Sequence, residues 1–349
     1  MKTRRDYRTL WRCFGALLLS LALLPASAQA PQFVMRNVSL PKELAYYDNQ
    51  FSGLAVSAGK LFLLSESRLQ DKAEAKLYTV KLSDLDRKLV DTAYALPYQK
   101  LPIQNLQTLR AKMQAAGQSY EGLEALLIDG KDIYLSVETA TPSSNCYLLK
   151  SRLRADAVVL DTTFLVPMAK PVAADGSHIY NAGFEALAAS RKQLFAFFEF
   201  NFFPGQNYVY GLDERRLPKN STPSKLPFTK VPFRITDVTA TSPQHFTGIN
   251  YFFKGEGGDA VYRTPPDDAT NASLITDASG FKNYCRLIDI EFKDNHFTWQ
   301  PLWEFPEQFR GYNWEGLAAY KGGYFMLNDK YTPTRPYQTT LLYLQQIPR

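Results

Sequence analysis

The chain runs to 349 residues, 45% apolar and 14% aromatic, with 40 basic and 34 acidic side chains and three cysteines. Its formal charge of +6 does not point to nucleic acid, because setting aside the first thirty residues brings the balance to 35 basic against 33 acidic. No cysteines stand at paired metal-ligand spacing, which excludes a cysteine-ligated zinc site.

Lys2, Arg4, Arg5, Arg8 and Arg12 precede the apolar run Phe14 to Leu24, and Ala28-Gln29-Ala30 supplies a small-residue cleavage site. Residues 1–30 read as a signal peptide, which makes residues 31–349 an exported chain, secreted or periplasmic. The apolar run is short for a bilayer span and no later stretch approaches twenty apolar residues. A monomer with no stable membrane insertion is expected.

Phe33 to Leu40 opens the mature chain with a strand-like segment that has no partner before it. The strand-like Thr339 to Gln345 has none after it, so the two are expected to pair. Between them one unit recurs: Phe51 to Ser67, Tyr120 to Thr139, Phe184 to Phe200, a weaker copy at Asp237 to Gly257, and Asn313 to Tyr331. Each has two apolar runs around a turn signal, as a β-hairpin does. A polar residue opens each copy and an acid closes it. The pairs are Ser52 with Glu66, Glu121 with Glu138, Glu185 with Glu199, Asp237 or Thr239 with Glu256, and Glu315 with Asp329. Four of the five pairs are centred on plausible turns, so opener and closer are expected to face each other across the hairpin.

Lone hairpins cannot bury their apolar faces. The openers recur at intervals of roughly 54 to 76 residues, somewhat longer than an ordinary propeller blade. The expected fold is all-β, a single β-propeller over residues 31–349. Five blades are favoured and six left open, with the N-terminal strand closing the last blade and the openers ringing one channel mouth. Leu77 to Leu82 and Tyr147 to Leu153 read as third strands. Ile103, Leu106, Leu109 and Met113 have helical spacing, which predicts an inserted helix over about 103–116 ended by Gly117. The aromatic run after Phe195 reads as buried sheet, and Arg215 to Lys230 and Thr264 to Gly280 as exposed connections. Phe281 to Phe305 supplies either the outer strands of the fourth blade or a degenerate sixth. Cys146 and Cys285 lie in strand-like runs, and export permits a disulfide without requiring one.

Carboxylates crowded at one mouth repel, by about 3 kcal/mol for a pair 6 Å apart at an effective dielectric near 20. Protonation, a basic partner or a bound cation relieves this. Oxygen-only ligands select Ca²⁺, with Mg²⁺ behind it, over zinc. The other reading is that the acids accept backbone N–H groups and hold the blades in register. A nucleophilic hydrolase finds little support, since there is no Gly-x-Ser-x-Gly elbow and His178, His245 and His296 are scattered.

The openings Gly183-Phe184-Glu185-Ala186-Leu187 and Trp314-Glu315-Gly316-Leu317-Ala318 resemble the phytase-like esterase domain of exported bacterial β-propellers. The return strand Phe325 to Pro333 is similar to that family's acidic-aromatic-proline ending, and Ser52-Gly53-Leu54 looks like the openers of the SdiA-regulated propellers. The resemblance spans most of the mature chain. It implies a metal-assisted ester or phosphoester hydrolase, with Glu121, Glu185 and Glu315 as catalytic inner-ring carboxylates. Glu66, Glu138, Glu199, Asp237, Glu256 and Asp329 then support a metal, and Ser52, Thr239 and Lys330 contact a small-molecule or phosphoester ligand. The chain departs from the pattern at Lys330, where a second acid is common, and at Asp237-Val238-Thr239-Ala240, which replaces Glu-Gly. The alternative is a non-catalytic propeller that binds a ligand or partner at the same mouth around a structural Ca²⁺.

Overall fold

Strand β1 (Phe33–Val38) is followed by twenty-one more among the described residues, and apart from one small hairpin their antiparallel pairing sorts them into four-stranded sheets. The computed structural model describes residues 31–66, 75–190, 193–213, 223–255, 257–264, 267–329, 332 and 335–347. The predicted signal peptide, Glu256 and Lys330 lie outside the described residues. No helix among the described residues is long and apolar enough to cross a membrane.

The first sheet holds β2 (Phe51–Ser57), β3 (Lys60–Ser65), β4 (Lys76–Lys81) and β5 (Gln99–Gln104). The second holds β6 (Tyr120–Asp129), β7 (Asp132–Thr139), β8 (Asn145–Leu153) and β9 (Val158–Ala169). The third holds β10 (Ala186–Ser190), β11 (Gln193–Phe197), β12 (Asn207–Asp213) and β13 (Ser224–Phe228). In the fourth, β14 (Arg234–Ala240) and β15 (His245–Phe252) are continued by β18 (Tyr284–Lys293) and β19 (His296–Glu304). Phe281 to Phe305 thus supplies the outer strands of this sheet. The insertion before β18 carries a short helix, Ala269–Ile275, and a small hairpin of β16 (Thr276–Asp277) and β17 (Gly280–Phe281). Short parallel pairings, β5 with β9 and β13 with β19, link neighbouring outer edges.

The last sheet holds β20 (Trp314–Tyr320), β21 (Gly323–Asn328) and β22 (Leu341–Gln346), and β1 completes it by pairing with β22 from Phe33↔Gln346 to Val38↔Leu341. The first strands neighbour one another in a closed circuit, β2, β6, β10, β14, β20 and back to β2. The architecture is a β-propeller with its N-terminal strand closing the last sheet.

The strands are apolar on both faces because each sheet is sandwiched between two others. In β3, Leu61 and Leu63 pack toward the last sheet, while Phe62 and Leu64 pack toward the second. Equivalent clusters fill the other gaps, and the aromatic run of the third sheet is buried in two of them. Cys146 and Cys285 are buried in separate clusters as free thiols.

Three expectations need correction. Ile103 belongs to β5, and the helix at that place spans only Leu106–Ala115, with Leu106, Leu109 and Met113 buried against the first two sheets. The turns at Ala58-Gly59 and Lys321-Gly322 are two-residue turns with positive φ at both positions, one residue shorter than a turn centred on the glycine. A β-bulge then falls at three of the openers, Ser52, Glu121 and Glu315, and in the fourth repeat at Thr236, one residue before the expected Asp237. Openers and closers are therefore not cross-strand partners. The closer's N–H reaches back to the carbonyl two residues before the opener instead, as Glu66 does to Gln50, Glu199 to Gly183 and Asp329 to Asn313.

Candidate functional site

The bulges build the site. A bulged residue leaves the period-2 alternation and is re-aimed relative to its neighbours. In each repeat the residue before the bulge is a buried anchor: Phe51, Tyr120, Ile235 and Trp314, with Phe184 in the matching place. Ser52, Glu185 and Glu315 are turned toward the axis, where they line a cavity of about 280 Å³. The closers Glu66, Glu138, Glu199 and Asp329 line it too, with Glu124, Arg234, Asn181, Asn313, Phe51 and Phe253. Glycines make room for the acids. A Cβ on Gly122 would lie 2.7 Å from Glu124 Oε1 and 3.0 Å from Glu66 Cγ, and one on Gly183 3.2 Å from Glu185 Oε1.

Glu121 does not line this cavity and is only half-buried. Strand β6 carries a second bulge, between Leu123 and Ala125, and this brings Glu124 to the place expected of Glu121. Carboxylate oxygens of Glu124, Glu138 and Glu185 lie within 4.8 Å of one another, and all three residues are buried. The sequence signal for Glu124 was an acid inside an otherwise apolar run, Leu123 to Ile128.

The fourth repeat also differs from expectation. Its bulge residue is Thr236, whose hydroxyl donates to the Trp314 carbonyl at 2.6 Å. Asp237 is away from the cavity, where its carboxylate accepts N–H groups from Val238 (2.7 Å) and Leu317 (2.6 Å). It ties the fourth sheet to the last one. Thr239 does likewise, its Oγ1 accepting the Ala319 N–H at 3.3 Å. Ser52 does line the cavity, with its hydroxyl donated to the Leu123 carbonyl at 2.7 Å.

Burial pushes the Glu138 carboxyl up to about 8, the charge of Glu121 adding to it and Lys170 opposing it. Burial also holds Glu185 well above the usual carboxylate range, reinforced by Glu199, Glu138 and Glu315 and opposed by Arg234. Glu315 keeps part of its surface open to the cavity, yet its carboxyl is deep enough that burial, then the charge of Asp329, raises it strongly. Asn313 donates to it at 2.5 Å. Glu199 is differently placed: Arg234 Nη1 lies 3.1 Å away, the Tyr262 hydroxyl donates to it at 2.6 Å, and the guanidinium sits 4.5 Å from the Tyr262 ring centre. Lys170 is buried beside Glu138 and donates to the Thr139 carbonyl.

The cavity thus holds seven carboxylates and, among its described lining residues, one basic group. Oxygen donors at this density suit a hard cation. Glu138 Oε1 has no hydrogen-bond partner although the residue is 2% exposed, an arrangement that disfavours the ionised carboxylate.

No protein-family model matches the sequence, and no curated protein matches it either. Among solved structures, the α-L-arabinofuranosidase of Podospora anserina in complex with cellotriose is similar at TM-score 0.47 and 9% identity, over 90% of this chain and 97% of that one. A β-xylosidase/α-arabinofuranosidase from a compost microbial metagenome, in complex with xylotriose and in calcium-free form, gives 0.48 and 6%, over 91% and 96%. A chain from the S. cerevisiae assembly of dbp5 with nup159, gle1, IP6 and ADP gives 0.34 and 10%, over 90% and 96%. Scores this low carry no functional argument for this chain, and the class that its own strand pairing defines is the β-propeller.

Proposed function

We propose that the axial cavity binds a divalent cation, Ca²⁺ ahead of Mg²⁺, and hydrolyses an ester or phosphoester held beside it. The observation that carries this reading is the convergence of Glu124, Glu138 and Glu185 within 4.8 Å. The residues fit such an ion: all are oxygen donors, and Glu138 presents an oxygen that no protein donor meets. Ca²⁺ tolerates the irregular geometry of ligands drawn from the bulged β6, from β7 and from the segment before β10, whereas Mg²⁺ demands a near-octahedral shell. A bound divalent cation supplies Lewis-acid polarisation of a carbonyl or phosphoryl oxygen and a lowered pKa for water.

The chain's own groups supply the rest. Burial and the charge of Asp329 raise the Glu315 carboxyl, which favours the protonated form that can pass a proton to a departing alkoxide, with Asn313 fixing its orientation. The Arg234–Glu199–Tyr262 cluster holds one wall rigid. Ser52 is committed to the Leu123 carbonyl, and no histidine or cysteine is among the described lining residues, so water is the nucleophile. The resemblance of the repeats to the phytase-like esterase domain supports the same chemistry.

The lack of a side-chain nucleophile also favours the second reading, a propeller that binds its ligand without turnover. Calcium-loaded protein is expected to hydrolyse 4-nitrophenyl acetate or 4-nitrophenyl phosphate, with the rate lost on chelation and with Glu315→Gln. Equal rates with and without calcium would sink the mechanism. Calcium binding without turnover of either ester selects the binding propeller.

A further inference from the structure

We infer that the cavity's organic ligand carries a positive charge, an ammonium group, in preference to a phosphate. The inference rests on the cation-site reading above and narrows it to a substrate class.

The first observation is the charge of the wall. Seven carboxylates face the cavity against one arginine among the described lining residues, and Arg234 already answers Glu199 at 3.1 Å. A divalent cation held by Glu124, Glu138 and Glu185 offsets part of that excess and leaves the wall acidic. A phosphoester entering beside the ion meets like charge, and an ammonium meets opposite charge. The second observation is a single atom of one of those seven: Glu138, 2% exposed, lines the cavity with an oxygen that has no hydrogen-bond partner. Its wall is built to receive positive charge from the cavity side.

Size and wall chemistry add the organic character. A volume of about 280 Å³ exceeds what one ion needs, since a water molecule's share of liquid is about 30 Å³ and the space equals roughly nine of them. Part of the lining is aromatic. Phe253 borders the cavity half-buried just after β15, whereas the Phe51 ring beside it is packed on Tyr78 in the core. An aromatic ring beside acids is a surrounding in which alkylammonium groups bind, through attraction to the ring quadrupole.

The test is a calorimetric titration of the calcium-loaded protein with tetramethylammonium chloride and, separately, with inorganic phosphate. Saturable tetramethylammonium binding is expected, weakened about fivefold by Phe253→Leu, which keeps the apolar bulk and removes the ring. Phosphate is expected to give no saturable heat. Steady-state kinetics supply a second readout: acetylcholine should show a lower KM than 3,3-dimethylbutyl acetate, its uncharged counterpart of equal shape. Saturable phosphate binding, absence of tetramethylammonium binding, or binding indifferent to Phe253→Leu overturns the inference. Titration of the metal-free protein with calcium reports on the cation site by itself, so failure there is distinguishable from failure here.

Discussion

Glu138 shows what the cavity costs the folded protein. Its carboxyl has a folded-state pKa near 8 against an ordinary value of 4.5, chiefly because it is buried. A raised acid favours folding in its protonated form, so its contribution is complete below the ordinary value and is lost as pH rises through the folded value. Glu185 and Glu315 are shifted in the same direction. Metal-free protein is therefore expected to lose thermal stability between about pH 5 and about pH 8.5, and scanning calorimetry should show calcium restoring it. Glu138→Gln should flatten that loss while weakening calcium binding at least about tenfold. A flat wild-type profile would contradict the assigned burial. Of the residues expected at the site, Glu66, Glu138, Glu185, Glu199, Glu315, Asp329 and Ser52 do line the cavity. Those were legible because each opens or closes a repeat. Glu124 and Arg234 were not, because one depends on a second bulge within β6 and the other precedes its repeat.

Strands and turns explain why the expected pairs slipped. A glycine-centred turn and a two-residue turn ending on the same glycine have the same sequence, and only the positive φ of Ala58 and Lys321 separates them. Bulges leave even less trace, since any residue type can occupy one. The Thr236 bulge is the clearest case: Asp237 stood out as the acid, yet the backbone places Thr236 in the repeat position and gives Asp237 to the Val238 and Leu317 amides. Glycine beside a bulge carries a testable load. Gly122→Ala puts a methyl 2.7 Å from Glu124 Oε1, and the expected result is about tenfold weaker calcium binding at a stability cost of about 1–3 kcal/mol. Calorimetric titration and denaturant unfolding of the same variant separate the two effects. Unchanged calcium affinity would show that Glu124 is not held where this packing places it.

Over the whole molecule, the recurrence of apolar hairpins made the propeller readable, because none of them can bury its faces alone. The closing pair of strands was readable for the same reason, each being an edge without a neighbour in sequence. β1 covers the outer edge of the last sheet, with Val38 2% exposed in the cluster that joins this sheet to the first. Deleting residues 33–38 should expose β22 as an unpaired edge, cost more than about 4 kcal/mol and promote aggregation; denaturant unfolding and light scattering report on both. A truncated chain that unfolds at the wild-type midpoint would show that closure by β1 is dispensable. Exact axial chemistry was not readable at this scale, because it depends on bulges that rotate single side chains.

The convergence of carboxylates from two neighbouring sheets on one ion is tested most directly by a crystal structure of the protein soaked in calcium chloride. The account predicts one ion about 2.3–2.6 Å from oxygens of Glu124, Glu138 and Glu185. Calcium ordered elsewhere, or only water among those three side chains, would contradict it.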